Sequence, residues 1–436
     1  MKVMKEKKLL IWIFCIFILS SLITLIYHLH FTSAIFLTIF ASFLIPGLRK
    51  SVEIEKNEKK RFEELCLYME QLICSYKRKG KILAAIEDCI CIFESDTSMM
   101  KALLQVKISL VTGEGLCGID LCRESLEKME VQYKSKRLVM LHSVLSCLES
   151  CGGQHEKTMD ILLEDLQLWK TRTALFQKQK QHIRIESILA TILAAILCYV
   201  SRMLTPAELN IDLTTTLFYQ ITTTFIFAVF YFIFYKIQRK LTGGWLDSEI
   251  LSDQEEHKFL RLYQILGSKK SSFSLYFTKK ALGKETESRF PYWLLFVALL
   301  LQTESVYIAI KKSVEYETGY MKEEILLLLN RLYENPSDLE TYLSFFQKLN
   351  MGEILSSMKI LYSISSGGYE ANGNQLGYLI SRNNQLMDRG EKNRYEKHIA
   401  GLSLIKQVPM LAASLKLLAD LVGLMGLIMR SFGSFV

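Results

Sequence analysis

The sequence predicts an all-α, polytopic membrane protein with two cytoplasmic helical-bundle domains and about five transmembrane helices. Half of its 436 residues are apolar, yet 22% are charged, so the two classes must occupy different segments of the chain. Only 5 prolines and 22 glycines occur, which favours long uninterrupted helices over a turn-rich β fold.

Residues 1–50 predict an N-terminal transmembrane hairpin. Apolar runs cover residues 9–27 and 32–48, and the connector HLHF between them contains no Lys or Arg. Basic residues flank both outer ends, among them Lys8 and Arg49, so both ends are predicted to lie in the cytoplasm. No small-residue cleavage site follows the first run, which favours a retained hairpin over a signal peptide.

Residues 51–186 predict a first cytoplasmic helical domain, because they are polar, charged and helical in pattern. One apolar helical face is expected to contain Phe62, Leu65, Leu72, Ile73 and Tyr76.

Residues 187–235 predict a second transmembrane hairpin, with spans at about 187–204 and 217–235. Its connector carries Glu208 and Asp212 but no Lys or Arg, so the connector is predicted to face outward. A second, divergent cytoplasmic helical domain is predicted for residues 236–407, and a fifth span lies in residues 408–436. Five spans that start from a cytoplasmic N-terminus place the C-terminus outside.

The two polar regions follow one plan, which suggests a duplication. The first contains ILAAIEDC (82–89) and then Gly152-Gly153; the second contains VYIAIKKS (306–313) and then Gly367-Gly368. In each region roughly 35 to 40 residues separate the glycine pair from the next apolar run. Each glycine pair is interpreted as a helix end, with a left-handed end predicted at Gly152-Gly153.

On these residues the chain resembles the type II secretion F family, which includes platform proteins of secretion systems, type IV pili, competence pseudopili and Tad pili. The resemblance covers about residues 62–428 and is carried by LICSYKRKGKILAAIEDC, CLESCGGQHEKTMDILLEDL and KTRTALFQKQKQHIRIESILATIL. The two glycine pairs match the helix junctions of the family. The order of domains and spans is similar to that of secretion and competence members, whereas the extra N-terminal hairpin is more like Tad members. The proline often found where the long helix meets the membrane is missing from the first copy, and Pro409 occupies that place in the second.

The resemblance implies an inner-membrane platform of a bacterial cell. Such a scaffold would couple a separate hexameric assembly ATPase to pilin-like subunits, associate with other inner-membrane assembly proteins and form a homo-oligomer. Two other classes stay open: a polytopic anchor or receptor that recruits cytoplasmic regulatory proteins, and a transporter. The transporter is disfavoured because the spans are few and much of the chain is polar.

No catalytic motif is evident, so an enzyme is not predicted. The chain lacks GxxxxGK[ST], GxSxG and HExxH, and its seven histidines are dispersed. No catalytic, cofactor or metal residues are therefore assigned, although a metal site among the ten cysteines stays open beside their interpretation as reduced, buried side chains. The net charge of +8 is scattered without a basic stripe interleaved with aromatics, so nucleic acid is not an expected partner.

Two charged residues, Lys416 and Asp420, fall inside the fifth apolar run and are the candidate intramembrane contact. A span that began after Asp420 would be too short to cross, so both charges are predicted at membrane depth. Their i,i+4 spacing puts them on one helical face. They are interpreted either as a contact with another span or protomer, or as a self-neutralised pair in which Lys416 extends toward the cytoplasm.

Overall fold

The computed structural model describes residues 2–94, 97–112, 118–151, 156–203, 213–246, 253–266, 272–367 and 369–433. These residues are helical and contain no strand, which confirms the all-α prediction. The helices are α1 (Lys2–Ile26), α2 (Phe31–Lys79), α3 (Ile82–Ile90), α4 (Ser98–Thr112), α5 (Gly118–Tyr133), α6 (Lys136–Cys151), α7 (Glu156–Met203), α8 (Leu217–Lys240), α9 (Asp253–Leu266), α10 (Ser272–Leu300), α11 (Val306–Ser313), α12 (Gly319–Glu334), α13 (Leu339–Leu343), α14 (Gly352–Ser366), α15 (Tyr369–Ala400), α16 (Leu402–Ile405) and α17 (Val408–Gly433).

The contacts divide the chain into two compact units. The apolar unit comprises Met1–Lys59, Ala174–Trp245 and Tyr395–Val436, and the polar unit comprises Lys60–Thr173 and Leu246–Arg394. The two polar regions of the sequence therefore contribute to one compact unit. The predicted division into separate domains at 51–186 and 236–407 stays a prediction.

Four helices are long and apolar enough to cross a membrane. They are Phe31–Lys79, Glu156–Val200, Leu217–Lys240 and Leu402–Met429, and they contain the second to fifth apolar runs of the sequence. The first run corresponds to the shorter apolar stretch Ile11–Ile26 within α1. Among the described residues, four helices thus meet the length and composition of a span, one fewer than the sequence predicts.

Within the apolar unit, α2 and α8 pack side by side in the same direction. The Thr224 hydroxyl donates to the Ser33 hydroxyl over 3.0 Å near the start of both helices. Further along, a Cβ at Gly47 would lie 2.6 Å from the Tyr235 ring. Glycine at this position therefore lets the α2 backbone approach an aromatic ring of α8 directly.

In the polar unit, helices α3–α6 of the first polar region and α11–α14 of the second contact one another in the same pattern. Helix α3 packs on α4 and α6, and α5 packs on both α4 and α6. In the second region α11 packs on α12 and α14, and α13 packs on both α12 and α14. This correspondence supports the duplication that the sequence suggests.

Apolar side chains build the cores of both regions. The face predicted on α2 is confirmed as buried, with Phe62 at 7% exposure and Leu65, Leu72, Ile73 and Tyr76 at 1% or less. In the second region Trp293 stacks on Phe345, with ring centroids 5.0 Å apart, and donates its indole N–H to the Ser313 hydroxyl over 2.9 Å. Burying rings of this size contributes strongly to stability, and the indole N–H keeps a partner.

Replacing Gly47 with Ala tests the close packing of α2 and α8. The added methyl group would overlap the Tyr235 ring, and overpacking of this kind costs about 1–3 kcal/mol. We expect a lower unfolding midpoint for the full chain in detergent, with partial recovery when Tyr235→Ala is added. Gly426→Ala is the matched control, because no atom lies within 4 Å of its added Cβ. An unchanged midpoint for Gly47→Ala would contradict the close approach.

Candidate functional site

Lys416 and Asp420 lie on α17 and form an ion pair inside the apolar unit. The Lys416 ammonium donates to Asp420 Oδ2, and the two residues are 1% and 4% exposed. The same ammonium lies 4.5 Å from the ring centroid of Tyr219, which is fully buried on α8. The pair is therefore enclosed against a neighbouring helix of its own chain.

The surroundings of the pair are apolar side chains and a few satisfied polar groups. The Tyr27 hydroxyl donates to the Ala195 carbonyl over 2.6 Å, and the Tyr219 hydroxyl donates to the Tyr27 carbonyl over 3.4 Å. The buried core cluster around these rings consists of Tyr27, Leu37, Ala194, Cys198, Ile226, Phe227, Ala228, Phe230 and Ala413. A single charge in such surroundings would be costly, so each member of the pair stabilises the other.

The pair lies toward the end of α8 that follows the 204–216 connector. Tyr219 belongs to the first turn of α8, and a Cβ at Gly423, one turn beyond Asp420, would lie 3.5 Å from the Phe218 ring. At this end Gln220 donates to the carbonyls of His28 and Thr214, over 3.0 and 2.7 Å. The α1–α2 turn and the start of α8 are thereby held beside the charged pair.

The burial of the two charges can be compared with the two interpretations of the pair, a contact with another span or protomer and a self-neutralised pair. Neither charged side chain lies on the exposed side of α17, which carries Leu411, Leu415, Leu418 and Val422. A helix of a second protomer would therefore contact leucine side chains and not the charges. The geometry combines features of both interpretations, because the two charges pair with each other and Lys416 also contacts Tyr219 of the neighbouring helix α8.

The glycine pairs are described only in part. Gly367 directly follows α14, and its backbone is extended, with φ −84° and ψ 148°. The second helix junction therefore ends without a left-handed residue at Gly367. Gly152, Gly153 and Gly368 lie outside the described residues.

A second buried charged cluster, which is not among the predicted site residues, surrounds Arg137 in the polar unit. The fully buried guanidinium donates to Asp165 Oδ2 over 3.1 Å, to Glu391 Oε1 over 2.7 Å and to the Tyr292 hydroxyl over 3.0 Å. It also lies 5.0 Å from the ring centroid of Trp169. Because Tyr292 and Glu391 belong to the second polar region, one side chain of α6 joins the two regions.

The sequence contains a signal for this cluster. Arg137 occupies the same helical stripe as Leu141, Val144 and Leu148, all of which are buried. A cation within an otherwise apolar stripe indicates a buried charge with partners elsewhere in the chain. Arg172 of α7 extends the cluster, since it pairs with Asp388 and lies 3.6 Å from Glu391 Oε2.

A shallow, partly open surface pocket lies beside the Arg137 cluster, and its lining includes Tyr292, Met387 and Glu391. Within the described ranges, no group of three or more His, Cys, Asp or Glu side chains is arranged to hold a metal ion. The geometry of both clusters is that of charges that satisfy one another.

The cysteines divide into two sets. Cys66, Cys89, Cys147 and Cys198 are buried, as the sequence predicts, and burial raises the pKa of the Cys89 thiol to about 12. Cys15, Cys74 and Cys91 are exposed, so burial does not extend to all of the described cysteines.

Comparisons with protein-family models, with curated proteins and with solved structures found no match to this chain.

Asp420→Asn tests whether the Lys416–Asp420 pair is structural. The variant leaves Lys416 buried without its counter-charge, and we expect a loss of stability of about 3 kcal/mol, seen as a lower unfolding midpoint in detergent. The double variant Lys416→Leu/Asp420→Leu removes both charges and should recover most of that loss. If the double variant is stable but changes the size of the detergent-extracted oligomer, the pair mediates contact between protomers. An unchanged midpoint in Asp420→Asn would show that the pair is not buried as described.

Arg137→Met tests the second cluster. Removing the guanidinium leaves the buried Asp165 carboxylate without its cation and leaves Glu391 with Arg172 alone, which costs about 3–5 kcal/mol. Pulse proteolysis of the full chain across a urea series measures this loss. Arg389→Met is the control, because Arg389 is 64% exposed and pairs with Glu353 at the surface, where an ion pair contributes about 1 kcal/mol or less. Equal effects of the two substitutions would contradict the burial of the Arg137 cluster.

Proposed function

We propose that this chain is the inner-membrane platform of a bacterial type II secretion or type IV/Tad-type pilus assembly machine. In this role it is a scaffold that couples a separate hexameric ATPase to pilin-like subunits. It also associates with other inner-membrane assembly proteins and forms a homo-oligomer. The N-terminus and both polar regions lie in the cytoplasm, and the C-terminus lies outside.

The observation that carries the proposal is the continuity of two long helices. Helix α2 begins in an apolar segment and continues through Arg49 into charged sequence without a break, for 49 residues. Helix α7 does the reverse over 48 residues, from charged sequence into an apolar segment. At about 1.5 Å per residue each helix is roughly 70 Å long, which exceeds the ~30 Å hydrocarbon thickness of a bilayer. A displacement of the polar end of such a helix is carried along its axis toward the membrane.

The repeated helix order of the two polar regions also supports a platform. Each region presents a similar set of packed helices, so a motor with several equivalent subunits would meet two related surfaces on each chain. Among the described residues, those that carry the resemblance to the type II secretion F family lie mainly in α2, α3, α6 and α7. Because the sequence contains no phosphate-binding loop motif, the ATPase in this proposal is a separate protein.

The alternative is a polytopic anchor or receptor that recruits cytoplasmic regulatory proteins. It accounts for the candidate spans and the charged helical regions equally well. It gives no reason, however, for two polar regions with one helix order.

Purification of the tagged chain from its native cells in mild detergent separates these functions. We expect mass spectrometry to identify a hexameric secretion-type ATPase and prepilin-like proteins among the partners, in excess over a tagged control membrane protein of similar abundance. Recovery of soluble regulators without either class, from a preparation in which other membrane complexes remain intact, would overturn the proposal and favour the anchor.

A further inference from the structure

A buried lysine binds the turn that follows α8. Lys180 of α7 is 2% exposed, and its ammonium donates to the Gly243 carbonyl and, over 3.1 Å, to Gln177 Oε1. Glu55 Oε1 of α2 lies 3.7 Å from the same nitrogen. One turn before Lys180 on the same helix, Gln177 donates its amide N–H to the Gly244 carbonyl over 3.0 Å. Two consecutive carbonyls of the turn are therefore bound by two side chains of α7.

The turn itself requires glycine at both positions. Gly243 and Gly244 have φ values of +86° and +75°, in the region that other residues rarely adopt. A Cβ at Gly244 would lie 2.9 Å from the Phe176 ring, and one at Gly243 would lie 3.3 Å from the Glu58 carboxylate. Side chains of α2 and α7 thus enclose the backbone of the turn at contact distance.

A buried ammonium group is a costly choice for a purely structural contact. Removing an ammonium group from water is costly, and an apolar side chain of similar size would fill the same space without that cost. The cost is offset by the Gly243 carbonyl, by Gln177 Oε1 and by the Glu55 carboxylate, so part of the offset is lost when the turn carbonyl points away from the ammonium. The stability of the buried lysine and the conformation of the turn therefore depend on each other.

The turn lies directly before the point where the chain leaves the apolar unit. Trp245 is the last residue of this segment of the apolar unit, and Leu246 is the first residue of the second segment of the polar unit. The chain thus passes from the candidate span α8 toward the second polar region through two glycines. Two adjacent residues with wide backbone freedom are the kind of short element-terminal segment that absorbs a change in direction.

We propose that the Gly243–Gly244 turn is a hinge at the end of α8 and that Lys180 is the latch that holds it in one conformation. Lys180 and Gln177 fix the turn from α7, while Glu55 and Glu58 of α2 enclose its other side. Release of the ammonium from the Gly243 carbonyl frees the turn without breaking the helices on either side of it. The latch does not depend on the identity of the partners in the proposed function.

Hydrogen exchange of the full chain in detergent, followed by mass spectrometry, tests the latch. We expect Lys180→Met to accelerate exchange of the amides in residues 239–246 by about tenfold or more, because a charge-assisted hydrogen bond to the turn is lost. Peptides from the middle of α8 should exchange as in the wild-type chain. Lys178→Met is the matched control, because Lys178 is exposed on the same helix two residues away and should leave the turn unchanged.

Unchanged exchange of residues 239–246 in Lys180→Met would overturn the proposal. If that variant instead exchanges faster throughout the chain, the more conservative Gln177→Leu decides the matter. It removes the bond to the Gly244 carbonyl and one acceptor of Lys180, but it leaves the ammonium and its bond to the Gly243 carbonyl in place. Acceleration confined to the turn in Gln177→Leu supports the latch, and unchanged exchange there overturns it. Failure of the ATPase and pilin pull-down would leave both of these results unaffected.

Discussion

The polar unit depends on the hydrogen bonds and ion pairs that the buried Arg137 guanidinium makes. A cation with no exposed surface is tolerated only when carboxylates and hydrogen-bond acceptors surround it completely. Here Asp165 comes from the first polar region, and Glu391 and Tyr292 come from the second. Partners from both regions are therefore needed to satisfy the charge fully, and this need favours the packing of the two segments into one compact unit.

Buried polar groups in the apolar unit also need partners within the protein, although there are fewer of them. Where water is absent, each hydroxyl, amide or charge needs a partner within the protein. Tyr27 binds the Ala195 carbonyl, Gln220 binds the α1–α2 turn, and Lys416 binds Asp420. These partners lie near the same end of α8, so helix positions there are set by directional bonds. Apolar packing, such as that of Gly47 against Tyr235, sets the spacing elsewhere.

Much of the fold follows from local properties of the sequence. The apolar runs, the scarcity of proline and the helical spacing of Phe62, Leu65 and Tyr76 predict the helices and their buried faces, because hydrophobic periodicity depends on near neighbours alone. The pairing of Lys416 with Asp420 is predictable for the same reason, since the residues are four positions apart. Arg137 and Glu391 are separated by 254 residues, and no local pattern indicates that they meet. No local pattern indicates the contact between Lys180 and the Gly243–Gly244 turn either, because the lysine lies 63 residues before Gly243 in the sequence.

The sequence by itself therefore determined the all-helical class, the apolar runs that match the candidate spans, and the similarity of two polar regions that each place an early helix before a glycine pair. These properties depend on hydrophobic content and on residue spacing within a few helical turns. Only the tertiary structure decided which charges are buried together, that the Lys416–Asp420 pair faces α8, and that both polar regions share one compact unit. Such pairings depend on the low dielectric of the interior, where a charge is stable only beside the particular partner that folding brings to it.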